Sequence, residues 1–208
     1  MEKKKHLQGK AYRRFFEGYT EFAVPKENGK GDKILRIYTA EYYRCKLGDR
    51  QFFLLKLFYV CLYLVMLICF VTAATEPLQS NSVWYVVLPQ TCCVFFFGWL
   101  FLGLMKYLFA QRNMTVYGYR TSTQNVKRAA MGLGFSLAWL SLTNACFVAL
   151  HIRYILVREI FCIMRFLVGT GAAVLLYFTE CRVVYQKMPN PQGNTACAEE
   201  ENCYYVGK

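Results

Sequence analysis

Residues Leu57–Thr75, LFYVCLYLVMLICFVTAAT, form a long apolar run without charge, which indicates a membrane-spanning helix. Two more stretches, Val83–Met105 and Ala129–Leu150, also contain no charged residue, and Ile160–Thr179 is interrupted only by Arg165. A helix of about 20 apolar residues crosses the hydrocarbon core of a bilayer. A soluble bundle would need more polar surface than this chain offers to cover three such helices. We therefore predict an all-α membrane protein with about four transmembrane helices.

Composition divides the chain into three parts. Residues 1–50 are basic and polar and are predicted to form a short cytoplasmic arm, residues 51–182 a four-helix transmembrane domain, and residues 183–208 a flexible cytoplasmic tail. The tail combines the breaker run Pro189–Gly193 with an acidic run and lacks a hydrophobic period, which is typical of disorder. The four spans are expected near residues 52–74, 83–104, 129–150 and 160–179.

The arm has two interpretations. Tyr19–Val24 and Ile34–Thr39 contain β-branched and aromatic residues and flank the turn-forming run Pro25–Gly31, so that they would pair as a hairpin. An amphipathic stretch that rests on lipid headgroups is equally compatible with the sequence. The sequence alone does not choose between these two structures.

Polar residues mark the predicted helix starts. Asp49 precedes the first apolar run and is predicted to be the N-cap of the first helix, with its side chain accepting a backbone N–H. Thr121 and Gln124 have the spacing of a capping box. This spacing predicts that the third helix begins in the cytoplasm, before the chain enters the membrane.

Basic residues set the predicted orientation. The net charge is +12, and twelve Lys and Arg residues near the spans lie on the side of the N-terminus, the second loop and the tail. Three, Arg153, Arg158 and Arg165, lie on the other side. Because basic residues are retained in the cytoplasm, we predict a multi-pass protein of the cell membrane with both termini cytoplasmic. The same rule explains the positive charge without a nucleic-acid partner, and no nucleic-acid-binding motif is visible.

The third span carries a stripe of small residues at intervals of three and four. In lipid, small side chains let helix backbones approach closely, which drives helix association. The stripe is therefore predicted to pack against the small residues of the fourth span or, alternatively, against a second copy of the protein. Its members are Ala130, Gly134, Ala138, Ser141, Ala145 and Ala149, and the facing set is Gly169, Gly171, Ala172 and Ala173.

His151, Arg158 and Arg165 recur at intervals of seven residues. On a continuous helix they would share one face, and such a row would suit an anion or a lipid headgroup. In the simpler interpretation the third loop lies at the membrane surface and both arginines extend to headgroup phosphates.

Two further polar residues within the spans are expected to bond to protein groups. Asn144 lies deep in the third span and is predicted to form an interhelical hydrogen bond, with a substrate site at mid-membrane as the alternative. Glu180, at the inner end of the fourth span, is expected to pair with Arg182 or Lys127.

The sequence contains no recognisable catalytic motif, and no cysteine or histidine set has the spacing of a metal site. We therefore predict no catalytic residue, metal or cofactor. The expected function is that of a non-catalytic structural or accessory subunit of a membrane complex, and the alternative is a small transporter or channel for an anionic or amphipathic solute. The expected partners are the lipid bilayer and either another membrane protein or further copies of this chain.

Overall fold

The computed structural model describes residues 17–25, 32–151 and 157–190. The chain is mostly helical and divides into two compact units. The helical unit comprises Lys46–Ala110 and Thr121–Val184. The β unit comprises the described residues of Met1–Cys45, Gln111–Arg120 and Tyr185–Lys208.

Four helices form the helical unit. They are α1 (Asp49–Ala74), α2 (Trp84–Phe109), α3 (Asn125–Leu150) and α4 (Val157–Arg182). Each is 26 residues long, or about 39 Å, which exceeds the hydrocarbon thickness of about 30 Å. The described residues contain four helices long and apolar enough to span a membrane, which confirms the prediction. Helices α1 and α3 begin three and four residues before the predicted spans, α2 ends five residues after its span, and α4 exceeds its span by three residues at each end.

The predicted N-cap of α1 is wrong by one residue. Gly48 is the N-cap, and Asp49 is the first helical residue. The Gln51 side chain accepts the backbone N–H of Gly48 at 3.3 Å. The Asp49 carboxylate still lies in the first turn, where it interacts favourably with the helix dipole.

The predicted capping box before α3 is also wrong. Thr121 lies inside a π-helical turn, Arg120–Gln124, which follows a short helix, Val116–Tyr119. Thr115 caps that short helix, since its Oγ1 accepts the Gly118 N–H at 3.1 Å. The helical conformation therefore begins about two turns earlier than the spacing of Thr121 indicates.

Helix α4 lies between α1 and α3 in the bundle. The α3–α4 interface is the most extensive, followed by the interface between α2 and α3 and that between α1 and α4. Helices α1 and α2 instead meet through large aromatic side chains. Their ring pairs are Phe52–Tyr107, Tyr59–Tyr107, Tyr63–Phe97, Tyr63–Phe101 and Phe70–Phe97, with centroids 5.1–6.1 Å apart.

Glycines allow α3 to approach both of its neighbours. A Cβ on Gly134 would lie 3.4 Å from the Cβ of Ala173 on α4. A Cβ on Gly132 would overlap the ring of Phe96 on α2. The backbone of α3 is therefore packed against side chains on two sides.

The predicted stripe of small residues divides between two faces of α3. Ala130, Gly134 and Ser141 are buried, whereas the other three members, Ala138, Ala145 and Ala149, are exposed. Most of the stripe's intervals are of four residues, and each such interval turns the row by about 40° around a helix of 3.6 residues per turn. The buried row instead alternates strictly between intervals of four and three. It consists of Val126, Ala130, Leu133, Leu137, Leu140, Asn144 and Phe147.

This division makes a prediction for two positions one turn apart. We expect Gly134→Leu to lower the free energy of unfolding by about 1–3 kcal/mol, because the new side chain would overpack the contact with Ala173. Ala138→Leu, on the exposed face, should change it little. Thermal unfolding of both variants in mild detergent tests this, and equal shifts of the midpoint would contradict the assigned faces.

The β unit contains a hairpin and a three-stranded sheet. Strands β1 (Tyr19–Pro25) and β2 (Asp32–Tyr38) pair antiparallel, with Tyr19 opposite Tyr38. The N-terminal arm therefore contains the hairpin, which was one of the two structures compatible with its sequence. Strand β3 (Tyr42–Cys45) pairs antiparallel with β4 (Asn113–Met114) on one side and β5 (Tyr185–Met188) on the other.

Tyr38 forms hydrogen bonds with residues from all three segments of the β unit. Its buried hydroxyl accepts the Val116 N–H at 3.0 Å and donates to the Glu41 carbonyl at 2.9 Å. The Asn190 side-chain amide donates to the Tyr38 carbonyl. Burial raises the pKa of the Tyr38 phenol, so the group stays protonated and able to donate well above neutral pH.

The structure differs from the predicted division of the chain in two respects. The all-α prediction omitted the β unit, whose strands are short and come from distant segments. The predicted tail begins at residue 183, yet Tyr185–Met188 forms a strand on β3. Residues 191–208, which contain most of the predicted flexible tail, lie outside the described part of the chain.

Candidate functional site

Two carboxylates lie at opposite ends of the buried face of α4. Glu180 is completely buried and Glu159 is 8% exposed. They are the first and last members of a row spaced alternately by three and four residues. The full row is Glu159, Cys162, Phe166, Gly169, Ala173, Leu176 and Glu180. Because a buried charged group is costly without partners, the contacts of these two residues define the polar sites of the bundle.

Glu180 joins three helices. The Tyr59 hydroxyl on α1 donates to Glu180 Oε2 at 2.5 Å, and the Tyr107 hydroxyl on α2 donates to the same oxygen at 3.3 Å. Both tyrosines are completely buried, and their ring centroids are 5.5 Å apart. The carboxyl group of Glu180 therefore connects α4 to α1 and α2 by hydrogen bonds at the end of the bundle where α1 begins. We call these three residues the Glu180 site.

The expected partners of Glu180 were wrong. The structure shows tyrosine donors where the sequence indicated Arg182 or Lys127. Arg182 is exposed, because two residues along a helix correspond to a rotation of about 200° away from the buried face. The partners come from helices distant in sequence, and no local spacing identifies them.

Lys56 stabilises the end of α2 near the same level of the bundle. Its Nζ donates to the carbonyl oxygens of Leu108 and Ala110 at 2.9 and 2.6 Å. It also lies 4.5 Å from the centroid of the Phe52 ring. A cation at a helix C-terminus satisfies carbonyls that lack intrahelical partners and interacts favourably with the helix dipole.

Glu159 is bound at the opposite end of the bundle. The buried Ser80 hydroxyl donates to its Oε2 at 2.6 Å, and the Ser80 N–H donates to its Oε1 at 3.4 Å. Ser80 begins a short 3-10 turn, Ser80–Ser82, in the connection between α1 and α2. This pair therefore fixes that connection to the first turn of α4.

An ion pair lies near the same end. Arg165 Nη1 is 2.8 Å from Glu76 Oε2 and donates to the Thr72 carbonyl at 3.3 Å. Asn81 donates to the Glu76 carbonyl at 2.9 Å and accepts a hydrogen bond from Gln90 at 2.9 Å. These contacts join the last turn of α1 to α2 and α4 through side chains.

The predicted row of His151, Arg158 and Arg165 does not lie on one helix. Helix α3 ends at Leu150 and α4 begins at Val157, so the continuous helix that would align the row is absent from the described residues. The His151 ring stacks on Phe147 with centroids 4.5 Å apart, and its Nδ1 is 3.0 Å from the Phe147 carbonyl. Arg158 is exposed, and Arg165 has a carboxylate partner.

Asn144 bonds within its own helix. It is completely buried, and its Nδ2 donates to the Leu140 carbonyl at 2.9 Å. Its Oδ1 has no hydrogen-bond partner among the described residues. The predicted interhelical hydrogen bond is therefore not among the bonds that these residues form.

The sequence pattern predicts that the two carboxylates of α4 are buried, but it does not predict their hydrogen-bond partners. Glu159 and Glu180 continue the alternating row of apolar and small residues, which places them on the buried face. Tyr59 and Tyr107 are indistinguishable in sequence from the other aromatic residues of their spans. No family model, curated protein or solved structure matches the chain, so its own contacts are the guide to its function.

The Glu180 site makes a prediction for Tyr59→Phe. Loss of the hydroxyl removes the shorter hydrogen bond to a buried carboxylate, and we expect the free energy of unfolding to fall by about 1–3 kcal/mol. In a Glu180→Gln background the same substitution should cost less, because the group that loses a donor is then a neutral amide. Unfolding in detergent measures both steps of this double-mutant cycle.

Tyr63→Phe is the matched control for Tyr59→Phe. Tyr63 lies one turn further along α1 and packs on Phe97 and Phe101 through its ring, which phenylalanine retains. A loss of stability as large as that of Tyr59→Phe would count against the hydrogen bond as the cause.

Proposed function

We propose that this chain is a non-catalytic integral membrane protein of the cell membrane, acting as a structural or accessory subunit of a membrane complex. The exposed part of the small-residue stripe carries the proposal. Ala138, Ala145 and Ala149 are separated by seven and four residues, so they form one thin surface on α3. In a bilayer such a surface favours close packing with a helix of another protein.

The contacts of the ionisable residues in the helices support a structural role. Lys56 is bound by backbone carbonyls, Glu180 by two tyrosines, Glu159 by Ser80, and Arg165 by Glu76. Ionisable residues inside a membrane commonly serve a transport pathway, where they bind and release solutes or protons. Here each of these four side chains instead bonds to another part of the chain and joins helices or connections.

The alternative is a small transporter or channel for an anionic or amphipathic solute. The buried Oδ1 of Asn144 favours it, since this atom has no partner among the described residues. An amide oxygen accepts hydrogen bonds, however, and an anion requires donors. The Glu76 partner of Arg165 also weakens the anion site that His151, Arg158 and Arg165 were predicted to form.

The accessory role predicts a partner whose binding depends on the exposed alanines. We expect a complex with a different membrane protein to survive purification in mild detergent. Ala145→Phe should reduce the recovered partner, because a large side chain prevents close approach of helices. Cys61→Phe, which enlarges an exposed side chain on α1, is the matched control. A homo-oligomer that both variants form normally would favour transport instead.

We also propose that both termini are cytoplasmic. A chain that crosses the membrane four times has both ends on one side, and the basic residues near the helix ends are concentrated on that side. Single cysteines at positions 79 and 186, in a background without the natural cysteines, test this orientation. In intact cells a membrane-impermeant maleimide should label Gln79→Cys and spare Gln186→Cys. The reverse labelling would exclude it.

A further inference from the structure

A pocket of about 210 Å³ lies between α3 and α4 at the end of the bundle where α4 ends. Gln124, Lys127, Arg128 and Met131 of the α3 region and Tyr177 of α4 line it. Neither the predicted anion row nor the Glu180 site contributes a residue to this pocket. It combines two cationic side chains, Lys127 and Arg128, with the side chains of Met131 and Tyr177.

The α3 residues of this pocket change character along one face. Gln124, Lys127, Arg128 and Met131 are spaced by three, one and three residues, so they lie on neighbouring turns of the same side. The order runs from an amide through two cations to a thioether. Lys127 is the third residue of α3, so this order follows the passage from the membrane surface into the hydrocarbon region.

Tyr177 completes the pocket from the other helix. It lies five residues before the end of α4, at a level that corresponds to the start of the antiparallel α3. A tyrosine at this depth places its ring among acyl chains and its hydroxyl near the headgroups. The polar part of the pocket therefore lies at the level of a phospholipid headgroup, and its apolar part lies at the level of the acyl chains.

The two cations differ from Arg165 in their carboxylate contacts. Among the described residues, neither Lys127 nor Arg128 forms an ion pair with a carboxylate. Arg128 is exposed and Lys127 is half-buried, and both residues line the pocket. A guanidinium binds a phosphate through two parallel hydrogen bonds, and an adjacent ammonium adds a point charge.

We propose that this pocket binds an anionic phospholipid, with its phosphate between Lys127 and Arg128 and an acyl chain along Met131 and Tyr177. Free phosphate also offers negative charge, but it has nothing to contact the thioether and the ring. A zwitterionic lipid offers the chain and the phosphate, but its ammonium group opposes the two cations. The pocket should therefore select a lipid of net negative charge.

Native mass spectrometry of the delipidated full-length protein tests this site. Phosphatidylglycerol, phosphatidylcholine with the same acyl chains, and inorganic phosphate are titrated in turn. We expect phosphatidylglycerol to bind in preference to the other two. The double substitution Lys127→Gln and Arg128→Gln should weaken its binding about tenfold or more, as expected for the loss of two basic residues near anionic lipid.

Lys106→Gln with Arg182→Gln is the matched control. Both residues are exposed at the same end of the bundle, and their loss changes the net charge by the same amount. The control should retain the lipid, and Arg128→Gln alone, at an exposed position that leaves the fold intact, should weaken binding by itself. Equal weakening in the control, equal binding of phosphatidylcholine, or retention of inorganic phosphate without lipid would each overturn the proposal.

Discussion

The buried carboxylate of Glu180 constrains the whole bundle, because in a bilayer it must obtain its hydrogen-bond donors from the protein itself. Tyr59 and Tyr107 supply them from two other helices, so α1 and α2 have to lie within reach of α4 at this end. Glu159 and Ser80 impose the same requirement at the other end. The apolar and small side chains between these two points then determine how closely the helices pack.

Two interfaces of the bundle are built from different side chains. Helices α3 and α4 approach through small residues such as Gly134 and Ala173, where van der Waals contact between backbones replaces the hydrophobic effect that lipid does not provide. Helices α1 and α2 are joined through rings such as Phe70 and Phe97, with centroids 5.1 Å apart. Aromatic side chains span a wider gap and still offer favourable edge-to-face and tilted contacts.

The four helices could be predicted from the sequence because an uncharged run of membrane-spanning length has few other structural solutions. The buried face of α3 could not be predicted from small residues alone. Ala130 and Ala138 are the same residue type, but one is buried and the other exposed, since the faces depend on the positions of the neighbouring helices. The sequence left two structures open for the N-terminal arm, a hairpin and an amphipathic stretch. The hairpin is held by contacts with distant segments, including those of Tyr38, which the local sequence does not contain.

The pairing of β3 with both β4 and β5 has a consequence for biosynthesis. Arg44 lies opposite Gln186, which the ribosome adds 142 residues later. At about 5–20 residues per second, synthesis of this interval takes roughly 7–28 s, and all four helices are made within it. The edge of β3 that pairs with β5 therefore stays unpaired until the last helix has been synthesised. The sheet can therefore be completed only after all four helices have been synthesised. A chain truncated after α3 would retain an unpaired edge of β3, which could pair with strands of other chains.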